Sequence, residues 1–170
     1  MLIKGIMDED FVNYKLPSMF IATATCSFKC DKEYGSPICQ NSALAKQPNI
    51  DILMTDIFDR YINNPITKAI IFGGLEPFDQ LQSLLVFIDV FRNELLRKDD
   101  IVIYTGYNKD ELPSRYYPEE NAGPYLMDYF RDVGNIVIKY GRYIPGHKPH
   151  FDPVLGVNLA SDNQYAERIS

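Results

Sequence analysis

The chain has no tryptophan, only two histidines and only three cysteines among its 170 residues. An odd number of cysteines cannot close completely into disulfides. No apolar run approaches the roughly 18 residues of a membrane span. The N-terminus carries acids early and lacks the apolar stretch of a signal peptide. A cytoplasmic location is therefore expected, where thiols stay reduced and free to bind metal. No basic stripe is present, and the net charge is −6, which argues against a partner made of nucleic acid. There is no internal repeat, low-complexity tract or linker, so residues 1–170 read as one domain, large enough for its own core. The aromatic bulk comes instead from 12 tyrosines and 10 phenylalanines.

Apolar, β-prone segments alternate with amphipathic ones. Residues 18–25 predict a buried strand. Residues 52–63 place Leu53, Met54, Ile57, Phe58, Tyr61 and Ile62 at helical spacing, and Asn64-Pro65 ends the pattern. Residues 69–72 predict a strand stopped by Gly73-Gly74, and residues 79–96 predict the longest helix. Strands follow at 101–105, 135–140 and 154–159, with a helix at 122–133. Alternating strands and helices with continuously apolar strands imply parallel pairing. A closed eightfold barrel needs about 250 residues. The expected fold is thus α/β, a partial barrel with a mostly parallel sheet, open on one side.

All three cysteines fall in one loop after the first of these strands, spaced Cys26-x3-Cys30-x8-Cys39. Three readings are open. They are inert buried thiols, although the residues between them (Asp31, Lys32, Glu33) are polar. They form a zinc site completed by His147 or His150. Or they hold a four-iron cluster by three corners, leaving one iron open to a substrate or cofactor.

A second feature lies at Phe72-Gly73-Gly74-Leu75-Glu76-Pro77, between a strand and a helix. Glycines there permit close backbone approach to a bound molecule. Ligands of parallel sheets bind at the carboxyl ends of strands, so this segment and the cysteine loop are expected on one rim. Alone, a Gly-Gly turn before a helix is equally a simple turn. Glu9/Asp10 and Glu119/Glu120 read as solvated surface. Arg115-Tyr116-Tyr117 and residues 140–143 offer aromatic packing, with stacking on a base or a partner surface as the functional alternative.

Together these features resemble the radical S-adenosylmethionine superfamily. Within it they are most similar to the glycyl radical enzyme activases, above all those of the anaerobic ribonucleotide reductases. The likeness is carried by the cysteine loop, by Gly73-Gly74-Leu75-Glu76-Pro77, by Tyr104-Thr105-Gly106-Tyr107, by Asp152-Pro153 and by Ser161-Asp162-Asn163-Gln164. One departure is the second cysteine gap, eight residues where the family usually has two.

The resemblance implies a [4Fe-4S] cluster on Cys26, Cys30 and Cys39, with S-adenosyl-L-methionine held by Gly73, Gly74, Leu75, Glu76, Thr105 and Gly106. It implies no catalytic residue beyond the cluster ligands. The implied reaction is reductive cleavage of the cofactor to a 5′-deoxyadenosyl radical, which abstracts hydrogen from a glycine of a partner enzyme. A one-electron reductant such as flavodoxin or ferredoxin would feed it. The alternatives are a non-catalytic iron–sulfur or zinc module that senses redox state, or a radical enzyme acting on a peptide or small molecule. Single alanine changes at Cys26, Cys30 and Cys39 are each expected to abolish or severely reduce iron incorporation in a soluble protein, measured as iron and sulfide per chain after anaerobic reconstitution. Full iron in Cys39→Ala would show that the third ligand lies elsewhere.

Overall fold

Ala69, Ile70, Ile71 and Phe72 are all fully buried, as a strand covered on both faces requires. They form the middle of a seven-stranded mixed sheet in a computed structural model that describes residues 1–112 and 125–170. The strands are β1 (Leu2–Asp10), β2 (Ser18–Thr23), β3 (Ile50–Asp51), β4 (Ala69–Gly74), β5 (Asp100–Tyr104), β6 (Ile136–Tyr140) and β9 (Tyr165–Arg168), in spatial order β3-β1-β2-β4-β5-β6-β9. A separate hairpin joins β7 (His150–Asp152) to β8 (Val157–Leu159). The four central strands, β2, β4, β5 and β6, are parallel, and the outer pairings are antiparallel. The sheet is open: no pairing joins β3 to β9 among the described residues.

The crossovers are α3 (Met54–Ile62), α4 (Leu81–Asp89) and α5 (Leu126–Val133). The parallel strands follow one another in sequence order, so crossovers of one hand put every helix on the same face. Alternation along the strands confirms this. Ile70, Phe72, Ile101, Ile103, Ile136 and Ile138 pack with Ile57, Phe58, Leu84, Phe87 and Phe130 of the helices. The opposite face presents Ala69, Ile71, Val102 and Val137 to Tyr14, Leu155 and Leu159, which belong to the β1–β2 connection and the C-terminal segment. That segment is pinned by Asp152, whose carboxylate accepts from the N–H groups of Val154, Leu155 and Ala166, each at 2.9 Å. Among the described residues no helix is long and apolar enough to cross a membrane.

Several elements differ from expectation. The long helix expected at 79–96 is divided: a 3-10 turn (Pro77–Gln80) precedes α4, and a wide π-type turn (Val90–Glu94) follows it. Arg92, in that wide turn, is buried and donates to the carbonyls of Arg97, Gly134 and Asn135, a tertiary demand invisible to helical periodicity. Strand β1 was not expected, because its polar residues and Gly5 mask any alternation; it pairs with β2 on one side and β3 on the other. The strand expected at 154–159 shortens to β8, paired with β7. Asp10 is not solvated surface: it is 3% exposed, and its carboxylate accepts from Val12 N–H at 2.9 Å, Asn13 N–H at 2.8 Å and the Asn13 amide at 2.6 Å. Residues 115–117 and 119–120, and the start of the helix expected at 122–133, lie outside the described residues.

Phe87 is the centre of the aromatic layer between helices and sheet, 4.6 Å from the Phe58 ring centroid and 4.9 Å from that of Phe72. Phe87→Ala should lower stability by about 3–5 kcal/mol. Urea unfolding would show this as a lower midpoint at unchanged slope.

Candidate functional site

Parallel register fixes which strand ends meet. Thr23 pairs with Gly74, and Tyr104 with Lys139, so the carboxyl ends of β2, β4, β5 and β6 form one rim. The cysteine loop leaves β2 there, and Leu75-Glu76-Pro77 leaves β4 beside it. Glu76 N–H donates to the Thr25 carbonyl at 2.9 Å. The Gln80 side-chain oxygen accepts from Ala24 N–H at 2.8 Å and from the Thr25 hydroxyl at 3.0 Å. Asn41 donates to the Gly74 carbonyl, and Asp79 accepts from both Ser27 N–H and the Tyr107 hydroxyl. The two segments that sequence singled out are thus stitched together by backbone and short polar side chains.

Glu76 is 6% exposed. Its carboxylate accepts from the Thr105 hydroxyl at 2.7 Å, Gly106 N–H at 2.9 Å and Phe78 N–H at 3.1 Å. Burial raises its pKa above the ordinary carboxylate value, and these donors oppose the rise. A carboxylate offers about four acceptor sites, so room remains for one further donor. Lys139, also buried, lies across from it. Burial pushes this ammonium down to about 8, against the pull of Glu76, and its Nζ donates to the Gly141 carbonyl at 2.7 Å.

The long second cysteine gap folds into a short helix, α1 (Lys29–Tyr34), stopped by Gly35 at φ 76°. Residues 32–37 are exposed, so the additional chain projects outward. It returns where the Asp31 carboxylate accepts from Ile38 N–H at 2.9 Å and Cys39 N–H at 2.8 Å. A second helix, α2 (Ser42–Ala45), follows, and its Leu44 lines the site. Glu33, on the projecting part, pairs with Arg142 at 3.2 Å. Arg142 also grips Glu111 with both guanidinium nitrogens, at 2.6 and 2.8 Å.

A cavity of about 420 Å³ opens at this rim, within the size of sites that take small molecules. Cys26, Cys30, Cys39, Gly74, Leu75, Glu76, Thr105 and Gly106 all line it. Gly73 does not. It stays within the strand, where a Cβ would come within 3.0 Å of the Phe20 ring. Gly74 has φ +79°, and a Cβ there would meet Ala22 and Leu44 at 3.0 Å. Packing thus disfavours a side chain at both positions, and backbone geometry demands glycine at Gly74. The cavity's other wall is formed by Asn13, Lys139, Arg142, Tyr143, Asn158 and Gln164. The stretch 140–143 and the Ser161–Gln164 run carried a signal for Arg142, Tyr143 and Gln164; Lys139 and Asn158 carried none. Tyr140, by contrast, is core, 5.2 Å from the Tyr165 ring. Neither histidine lines the cavity; His147 pairs with Asp162 at 2.5 Å.

Three thiols lining one cavity are the donor type that iron–sulfur clusters take. Burial pushes Cys26 up to about 11, and burial with Cys39 nearby pushes Cys30 up to about 12. Both are therefore protonated at neutral pH, and metal must displace those protons.

A family model described as a 4Fe-4S single cluster domain matches residues 18–129, more than half of the chain. The chain belongs to this 4Fe-4S single cluster domain family, which is associated with radical S-adenosylmethionine-like iron–sulfur proteins. No curated protein and no solved structure matches it.

Because the thiolate is the nucleophile, iodoacetamide should label Cys26 and Cys30 of the reduced, cluster-free protein at least about tenfold more slowly than the same cysteines of the unfolded chain at pH 7.5. The rates should climb with pH through 9. Mass spectrometry of quenched digests reads this, and equal folded and unfolded rates would contradict it.

Proposed function

We propose that this chain is a radical S-adenosylmethionine enzyme of the activase type. Its cluster is held by Cys26, Cys30 and Cys39, and its substrate is a glycine of a partner enzyme. One observation supports this reading above the others: a single cavity is lined by all three thiols, by the Gly74-Leu75-Glu76 turn and by Thr105-Gly106. When bound, the cluster and cofactor supply one-electron cleavage of a carbon–sulfur bond and a carbon radical that takes a hydrogen atom.

The chain's own groups bind and orient. Glu76, with an acceptor position left over, is placed to receive the cofactor's ammonium group. Lys139 is a buried cation with donors to spare for a carboxylate. Thr105 and Gly106 hold the Glu76 carboxylate in place, so it need not reorganise when ligand enters. Leu75 and Phe20 provide apolar wall. The sheet, with α3, α4 and α5 on one face and, among the described residues, no strand beyond β3 or β9, reads as an open part of a barrel, in one domain. An open rim admits a loop of another protein, and electrons would come from a one-electron carrier such as flavodoxin or ferredoxin in the cytoplasm.

Anaerobic reconstitution, dithionite reduction and electron paramagnetic resonance test this. Adding S-adenosyl-L-methionine should change the reduced cluster's signal, and 5′-deoxyadenosine should accumulate. Adding a glycyl radical enzyme encoded nearby should then give a doublet organic radical on that partner. A signal indifferent to S-adenosyl-L-methionine would assign the chain to electron transfer or redox sensing. Nucleoside without a protein radical would assign a peptide or small-molecule substrate.

A further inference from the structure

The geometry points to Asp31 as the residue that positions the third cluster ligand, taking the place of a short cysteine gap. This rests on the proposed ligand set. Eight residues separate Cys30 from Cys39, and a flexible segment of that length leaves its ends far from a fixed separation. Three features remove that freedom. Phe28 in the left-handed region, φ 52°, turns the chain into α1 directly after Cys26. Gly35 ends the helix before two turns are complete, its N–H bonded to the Asp31 carbonyl at 3.0 Å. The Asp31 side chain then closes the loop.

One oxygen, Oδ1, accepts both Ile38 N–H at 2.9 Å and Cys39 N–H at 2.8 Å. The backbone of the third cysteine is thereby tied to the residue next to the second. Residues 32–37 are exposed; within them Gly35 ends α1 and Glu33 pairs with Arg142 at the rim. The same oxygen lies 3.8 Å from Cys30 Sγ, so a negative charge stands beside the ligand set and disfavours an added electron. Asp31 is thus a positioning residue acting through Cys39, and a charge that holds the cluster's potential down.

Two variants separate the functions. Asp31→Asn keeps a side-chain oxygen for both N–H groups and loses the charge; Asp31→Ala loses both. Iron and sulfide per chain should fall severalfold in Asp31→Ala and stay near the wild-type value in Asp31→Asn. The midpoint potential should move positive in Asp31→Asn. In the cluster-free proteins, amide exchange followed by NMR should show Ile38 and Cys39 protected in wild type and Asp31→Asn and unprotected in Asp31→Ala, with circular dichroism unchanged throughout. Full iron in Asp31→Ala, or iron as low in Asp31→Asn as in Asp31→Ala, overturns the positioning role. An unchanged potential in Asp31→Asn overturns the charge effect. A wild-type protein that takes up no cluster overturns the proposed function together with this assignment, whereas a cluster that persists in Asp31→Ala overturns this assignment alone.

Discussion

The buried carboxylate of Glu76 is the interaction on which the site depends. Leaving such a group in the interior without partners would cost several kcal/mol. The fold meets this demand with three donors from two segments, Phe78 from its own turn and Thr105 and Gly106 from the end of β5. Its backbone N–H meanwhile holds the Thr25 carbonyl, the last residue before Cys26. The loops after three parallel strands are therefore locked to one residue. Substituting its side chain would leave the Phe78, Thr105 and Gly106 donors unpaired at the rim.

Around that lock the cavity is electrically mixed. Thiols and Glu76 line one side; Lys139 and Arg142 line the other. Arg142 is already committed to Glu111 and Glu33, which makes it a brace between the projecting loop and the end of β6. Among the described residues Lys139 has no such ion pair at close range; its Nζ donates to the Gly141 carbonyl and feels the field of Glu76. A zwitterionic ligand matches this division of charge. Tyr107 adds a second brace: its ring lies under Lys29 at 4.5 Å, and its hydroxyl bonds Asp79, so the first residues of the cysteine loop are held from below as well.

Much of the parallel core was legible because its strands are short, continuously apolar runs ended by glycine or by polar residues. The period-2 division into helix-facing isoleucines and tail-facing Ala69, Ile71, Val102 and Val137 follows from the pleat once the strands pair. The outer strands were not legible. Residues 2–10 and 165–168 are polar enough to read as loop, and they become strands because β2 and β6 would otherwise expose unpaired backbone. The break after α4 was hidden for a similar reason, since it answers to Arg92 reaching carbonyls more than forty residues away in the chain.

By itself the sequence determined the chemistry on offer: three thiols confined to one loop, a Gly-Gly-Leu-Glu-Pro turn after a buried strand, and too little basic charge for a phosphate backbone. Side-chain identity and local backbone permission settle such things, and both are properties of neighbouring residues. Only the tertiary structure decided which of these groups share a cavity. It moved Gly73 behind the wall, gave Gly74 a packing reason for being glycine, and added Lys139 and Arg142 from β6 and the residue pair beyond it. It also brought Cys39 to the same cavity as Cys26 and Cys30 across an eight-residue gap, with a carboxylate and two N–H groups bonded through space. Long-range pairing of this kind depends on where strands end relative to one another, and that register is set by the whole sheet.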